Sequence, residues 1–475
     1  MKQNLVPRLG ALLALGAVAV FVLAQSISPN ATVSKLDSAI ALLALDKPQE
    51  AKELLATIEP GDPSYEAAKR YSALCLYELK DYLGFLKAVE SFEISAPVVP
   101  PEIQEELAFE RIAARFYYRK FEDIFPKIQA FRTAHPASVR LDAVTEYQMA
   151  ALLERGMKKL YEAALHKEGE RYRARREEGH TNLVEFLNLA RERSGGGYKA
   201  LPQRNLEEDL WGARLALGDE EALFAEVPSS DVARRERLSL VRLRVYQKLY
   251  SNQVDRLLEL MGGFVGEFPN STTRTRVEYE MADLSFEVAE RAWLELRESG
   301  NVGAAQAQAK WDLIRRYNAS GREVAARLLR QKGSGLEPQD YLHLCQDYLN
   351  SYHEERDFEK LASEVGVLLG DYEEGSLGWV MGRIYEGVVL ACQTPPRSAE
   401  AGRLFEQVMS LGFRNKPSFD QWITCAAKWR VYLALADGNK AEAETVAAWV
   451  ETGNCSKELK RDFGKKYHLL VETAN

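Results

Sequence analysis

One stretch of the chain is written twice, and that duplication limits the folds open to it more than any other feature. Residues 117–138 read YYRKFEDIFPKIQAFRTAHPAS, and residues 250–271 read YSNQVDRLLELMGGFVGEFPNS. Tyr117, Phe121, Ile124, Phe125, Ile128 and Phe131 stand where the second copy has Tyr250, Val254, Leu257, Leu258, Met261 and Phe264. Pro136 and Ser138 match Pro269 and Ser271, and the string E-Y-x-M-A follows both times, from Glu146 and from Glu278. The offset is about four times a unit of roughly 33 residues, the signature of a longer array of similar units.

The chain in order supports an array of helix pairs. Ala39, Leu42, Leu43 and Leu45 fall on one face at helical spacing, and Asp46-Lys47-Pro48 then makes a turn. Ala51, Leu54, Leu55 and Ile58 continue the pattern until Pro60-Gly61-Asp62-Pro63 stops it. The next pairs are expected at 65–79 with 82–92 and at 103–118 with 121–134. Small residues, Ala73, Ala113 and Ala114, stand where a partner helix crosses closely, and Phe85, Val89 and Phe92 supply bulk on the second helix. Residues 141–157 read as helix and 183–190 return to apolar spacing. Further helices are expected at 206–217, 232–250, 254–268, 277–296 and 304–317. Pairs follow at 341–352 with 358–369, 377–391 with 399–409, and 419–435 with 441–450. A Lys-rich helix at 459–471 would close the apolar end of the stack, as a terminal repeat requires. No alternating β-branched run competes. With 46% hydrophobic and 28% charged residues the chain is a folded, helix-rich protein.

Two segments stand apart. Lys2 and Arg8 precede an uncharged apolar run, 9–24, which ends in Val22 and Ala24 at the spacing of a cleavage site. Residues 1–24 therefore read as a signal peptide, and the expectation is an exported protein, periplasmic or secreted. An uncleaved membrane tether is the alternative. The second segment is the charged run 158–176 followed by Ser194-Gly195-Gly196-Gly197. The Gly run suggests a linker, giving repeats at 34–193 and 200–475. The charged run reads as a solvated face with intrahelical ion pairs. Its sharper alternative is a partner-binding stripe of Arg171, Arg173, Arg175, Arg176, Arg191 and Arg193.

At this point the residues carry a resemblance. Ala51, Leu55, Ile58 and Pro63 fall at the small, aromatic, small and Pro positions of the tetratricopeptide (TPR) repeat, a helix-turn-helix unit of about 34 residues. Trp422, Ala426, Ala427, Tyr432, Gly438, Ala443 and Ala447 render the pattern again, and the two F-x-x-x-x-P-x-S stretches look like unit boundaries of bacterial cell-envelope members. The resemblance covers most of 34–453, although the helix A Gly of the family is usually Ala or Leu here. It implies an all-α, right-handed superhelical solenoid of antiparallel helix pairs. It also implies a protein-protein interaction scaffold that holds a protein or peptide in a concave groove.

Chemistry is not written into the chain. The six histidines, His135, His166, His180, His343, His353 and His468, include no His-Glu-x-x-His pair, and His353 with Glu354 and Glu355 reads as a solvated helix end. There is no phosphate loop and no G-x-S-x-G elbow. Cys75, Cys345, Cys392, Cys425 and Cys455 sit in apolar patterns as buried thiols, with a disulfide among the last three as the alternative. Asn30, Asn270, Asn318 and Asn454 open chance glycosylation sequons. Tyr117, Tyr118, Phe121, Phe125 and Phe131 have the spacing of helix packing. The sequence thus assigns no catalytic, cofactor-binding or metal residues and no cofactor. A net charge of −8 argues against nucleic acid as partner, and no membrane insertion is expected once 1–24 is removed. The rival reading is a polysaccharide-active enzyme on an α/α scaffold, which would need converging carboxylates with Tyr and Arg.

Overall fold

The computed structural model describes residues 34–93, 101–165, 169–193, 197–250, 252–298, 303–331, 335–414 and 416–474. The expected signal peptide and three residues of the expected linker, Ser194, Gly195 and Gly196, lie outside the described residues. Among those residues there are 21 helices and no strand. Packing divides the chain between Asn252 and Gln253. The first unit holds α1 (Lys35–Ala44), α2 (Pro48–Leu55), α3 (Tyr65–Glu78), α4 (Tyr82–Glu93), α5 (Pro101–Tyr117) and α6 (Phe121–Ala134). It continues with α7 (Leu141–Leu165), α8 (Glu170–Glu192), α9 (Leu206–Ala216), α10 (Glu220–Glu226) and α11 (Val232–Leu249). The second unit holds α12 (Val254–Glu267), α13 (Arg274–Glu298), α14 (Ala304–Arg330), α15 (Pro338–Glu354) and α16 (Phe358–Leu369). It ends with α17 (Leu377–Cys392), α18 (Ser398–Met409), α19 (Pro417–Ala436), α20 (Lys440–Thr452) and α21 (Lys457–Ala474).

One turn geometry recurs and explains the unit. At six hairpins the second residue after the first helix is left-handed: Asp46, Lys80, Arg119 and Arg356 with φ of 57–62°, and Gly218 and Gly438 with φ of 90° and 74°. In each, the next residue's N–H reaches back five positions to a carbonyl of the last helical turn. The bonds are Lys47 to Leu42, Asp81 to Leu76, Lys120 to Arg115, Asp219 to Arg214, Asp357 to Tyr352 and Asn439 to Ala434, all between 2.8 and 3.0 Å. This is the C-cap in which a left-handed residue satisfies the helix's orphan carbonyls. Asp81, Asp357 and Asn439 then cap the next helix through their side chains. A three-residue connection thus ends one helix and starts its antiparallel partner.

The duplicated stretches are duplicated in space within their own units. Helices α6 and α12 both have 14 residues, and α7 and α13 both have 25. At the boundary after α6, His135 N–H donates to Phe131, Ser138 N–H to His135, and Arg140 N–H to the Ser138 hydroxyl. After α12 the same three bonds join Phe268 to Phe264, Ser271 to Phe268, and Thr273 to the Ser271 hydroxyl. The F-x-x-x-x-P-x-S string is therefore a helix stop with its own hydrogen bonds.

Burial follows the chain. Core clusters draw on consecutive helices: α1–α3, α3–α5 and α5–α11 in the first unit, and α12–α14, α17–α19 and α19–α21 in the second. Ala73, Ala113 and Ala114 are fully buried at close crossings, as their size predicted. Helices α7 and α8 cross on glycine. A Cβ on Gly156 would lie 3.1 Å from the Gly179 carbonyl oxygen, and one on Gly179 would lie 3.0 Å from that of Gly156. The closing helix α21 packs on α19 and α20 and buries Phe463.

Three features go beyond the sequence expectation. The packing division falls at Asn252/Gln253, and the expected repeat boundary at 193/200 lies inside the first unit. Both flanks of the Gly run are fastened to α7 through the fully buried Glu146: it pairs with Arg193 and accepts from the backbone N–H of Lys199 at 2.8 Å and of Ala200. A charge without such partners would be too costly to bury. Helix α14 continues past the expected end at Tyr317 to Arg330, with Asn318 and Gly321 packed inside. A Cβ at Gly321 would lie 2.7 Å from the Phe286 ring. Helix α10, seven residues long, was not foreseen.

Candidate functional site

Two polar stripes converge in the second unit. On α15, His343, Asp347, Asn350 and Glu354 recur at i, i+4, i+7 and i+11, one face of a helix. On α13, Asp283, Phe286, Glu287 and Glu290 recur at i, i+3, i+4 and i+7. Asn318 of α14 joins them, and together these nine residues line a cleft of about 230 Å³. Five of the nine are carboxylates, and none is Lys or Arg.

The mouth is built around His343. Its Nδ1 lies 3.6 Å from Asp283 Oδ1 and 3.4 Å from Asp347 Oδ2, with the Tyr279 hydroxyl at 3.2 Å. The three donor atoms of Asp283, His343 and Asp347 all lie within 4.8 Å of one another. Deeper in, Asn318 is 1% exposed. Its amide N–H₂ donates to Glu354 Oε2 at 3.2 Å and the Ser351 carbonyl at 3.4 Å, but its Oδ1 has no hydrogen-bond partner. Asn350 is held by the Tyr385 hydroxyl, which donates to its Oδ1 at 2.7 Å.

Electrostatics follow from this crowding. Burial, then the neighbouring Asp283 and Glu290, push Asp347 up to about 8. Burial raises Glu354 to about 7 against the opposing hydrogen bond from Asn318. Asp283 is also raised, chiefly by burial, with His343 opposing. Burial thus holds these cleft carboxyls toward their protonated forms.

The residues singled out in the sequence fall elsewhere, with three exceptions. His343 and Glu354 meet in the cleft, and the sequon residue Asn318 is its buried base. The expected helix end at 353–355 is where α15 stops, at Glu354, but it is not solvated, since Glu354 is 7% exposed. Of the Arg stripe, Arg175 and Arg193 are held within the fold, while Arg171, Arg173, Arg176 and Arg191 are exposed. Arg175 pairs with Glu162 at 2.7 Å, Arg193 with Glu146, and Arg176 donates to the Tyr172 hydroxyl at 3.2 Å. The charged run pairs both within a helix, as expected, through Lys158 and Glu162 at 3.9 Å, and between helices, through Lys159 of α7 with Glu178 of α8. Phe131 is buried, and Tyr117, Phe121 and Phe125 pack on the same core, while Tyr118 is 41% exposed. All five cysteines are free thiols, with Cys75 and Cys345 fully buried.

No family model matches the chain, and no curated protein matches it. Among solved structures it resembles a human IFIT1 dimer with m7Gppp-AAAA at 14% identity, TM-score 0.31, covering 94% of this chain and 91% of that one. The P58(IPK) TPR domain shows 13% identity and a TM-score of 0.25, with 93% and 98% covered. Yeast Tom70 shows 12% identity and a TM-score of 0.22, with 92% and 95% covered. At scores this low, the TPR-like helix-pair architecture rests on the chain's own turns and packing.

Proposed function

We propose that the chain is an exported protein-interaction scaffold of TPR-like helix pairs, serving a bacterial cell-envelope complex through recognition and not turnover. The observation that supports it most is the six-fold recurrence of one hairpin turn, from Asp46 to Gly438. Repeated hairpins that bury their apolar faces on chain neighbours leave long side faces for a protein or peptide partner. Export rests on the n-region, apolar run and Ala24 cleavage spacing of residues 1–24. No helix among the described residues is long and apolar enough to cross a membrane. The polysaccharide-active alternative needed Arg beside converging carboxylates. The second-unit cleft is lined without Arg, and the groove where Tyr172, Arg173 and Arg176 stand beside Glu177 and Glu185 is one open face of α8, not a pit walled by several helices.

The test joins location to partner. A C-terminally tagged full chain is expressed in a bacterium, fractionated and crosslinked in the intact envelope. The expected result is a periplasmic protein that begins after Ala24. It should crosslink reproducibly to the same envelope protein, and the two purified components should bind each other directly. Retention in the cytosol with residues 1–24 intact would refute export. Absence of any reproducible direct partner would refute the scaffold reading.

A further inference from the structure

We propose that Asp283, His343 and Asp347 form a binding site for a divalent first-row transition-metal ion, of the zinc or manganese class. The site lies at the mouth of the cleft whose buried base carries the amide oxygen of Asn318. The proposal is independent of the scaffold reading, and either can fail without the other.

Geometry carries it. Zinc holds nitrogen and carboxylate oxygen at about 2.0–2.2 Å, so the donors of a tetrahedral site stand about 3.4 Å apart. The His343 imidazole nitrogen lies 3.4 and 3.6 Å from the Asp347 and Asp283 oxygens, already near that spacing. Two donors come from α15 at i and i+4, and the third from the packed neighbour α13, so helix packing sets the spacing. The side chains of His343 and Asp283 are 51% and 41% exposed, which leaves an entry path. One imidazole with two carboxylates selects first-row metals over calcium or magnesium, whose sites are built from oxygen.

A second observation points to a ligand without reference to the acidic cluster. Asn318 is 99% removed from solvent by the 1% exposure of its residue, yet its Oδ1 has no partner while its N–H₂ group is satisfied. A buried amide oxygen without a donor is costly, and since Asn318 bonds at Ser351 and Glu354, one to two turns beyond Asp347, water ordered along the cleft from the ion would supply that donor. The acidic lining, Glu290 and Glu354 included, contains no Lys or Arg to compete for the site. A metal on Nδ1 displaces the Tyr279 hydroxyl from that nitrogen and leaves the His343 proton on Nε2.

The experiment uses the full chain, stripped with chelator and dialysed, and titrated calorimetrically with ZnCl₂, MnCl₂, CaCl₂ and MgCl₂. Circular dichroism and melting temperature check that each variant is folded. The expected result is saturable 1:1 zinc binding, with manganese weaker and calcium and magnesium weaker still. His343→Gln, Asp347→Asn and Asp283→Asn should each lower zinc affinity about tenfold or more. His353→Gln, on the same helix but outside the cleft, should leave it unchanged, and Mn²⁺ electron paramagnetic resonance should lose its bound signal in His343→Gln. Zinc binding that survives all three cleft substitutions would assign the metal to cysteines or other histidines and overturn the proposal. So would no saturable binding by the wild type, or calcium binding that ignores His343. A lysine-rich peptide that binds the cleft where zinc does not would overturn it in favour of a cationic side chain.

Discussion

Replacing the left-handed turn residues with glycine should stabilise the protein, a result opposite to the usual effect of glycine. Lys80, Arg119 and Arg356 hold φ of 62°, 57° and 60°. All three are solvent-exposed. An L-residue in this region costs about 1–2 kcal/mol, whereas glycine costs about 0.5–1 kcal/mol in unfolded-state entropy. The net gain for Lys80→Gly, Arg119→Gly or Arg356→Gly is then about 0.5–1 kcal/mol each. The sites are far apart in the chain, so the gains should add within a unit. For folding units of roughly 150–250 residues, 1 kcal/mol moves Tm by about 2–4 °C. Asp46 should gain less, because aspartate tolerates this region better than lysine or arginine. The reverse changes, Gly218→Ala and Gly438→Ala, should each cost about 1–2 kcal/mol. Differential scanning calorimetry of the full chain, supported by urea unfolding, reads all of these. A lower Tm for Lys80→Gly and Arg356→Gly, or no loss for Gly438→Ala, would refute the shared turn as the organising element.

Three further outcomes follow from the packing. Burial, then Glu106, raise the Glu110 carboxyl to about 8, against the Tyr77 hydrogen bond and Arg140. The unfolded chain releases that proton near the ordinary carboxyl value, so stability is lost as pH rises from about 5 to 8. The slope is at most about 1.4 kcal/mol per pH unit. Glu110→Gln should remove it from the wild-type-minus-variant difference in urea midpoints, and an unchanged slope contradicts the assignment. Glu146→Ala strands Arg193 and two backbone donors, costing about 3–5 kcal/mol, and should speed hydrogen exchange at Lys199 and Ala200; protected amides there would count against it. Gly179→Ala should destabilise by about 1–2 kcal/mol through overpacking at the α7–α8 crossing. Gly263→Ala, with open space around it, should stabilise by about 0.5–1 kcal/mol. Equal signs for the two substitutions in chemical denaturation would refute the close crossing.

The repeat boundary was legible because its parts are local. Phe131 and Ser138, and their counterparts Phe264 and Ser271, make hydrogen bonds within a few residues of themselves, so a string search finds them. The hairpin turns were legible as interruptions but not as left-handed caps, because Lys80, Arg119 and Arg356 are not turn formers by composition. Helix α14 looked finished at Tyr317, since Asn318 and Gly321 weigh against helix locally and only Phe286 from another helix explains them. The packing division was not legible for a related reason. A Gly run marks a freely rotating backbone, but Glu146, far away in sequence, decides whether its flanks are held. The cleft lies at the far end of this scale. His343, Asp347, Asn350 and Glu354 show helical spacing in the sequence, but the facing stripe from Asp283 to Glu290 belongs to α13. Nothing in either stripe says that the two will meet.

Hydrogen exchange after one core truncation tests the helix-pair array most directly. Phe405 of α18 is fully buried, and its truncation to Ala should cost about 3–5 kcal/mol. If each hairpin depends mainly on its chain neighbours, Phe405→Ala should accelerate exchange in α17 to α20 and leave the amides of α12 to α14 at their wild-type rates. A uniform acceleration across the second unit would contradict the account, because it would mean one indivisible core in place of a row of hairpins.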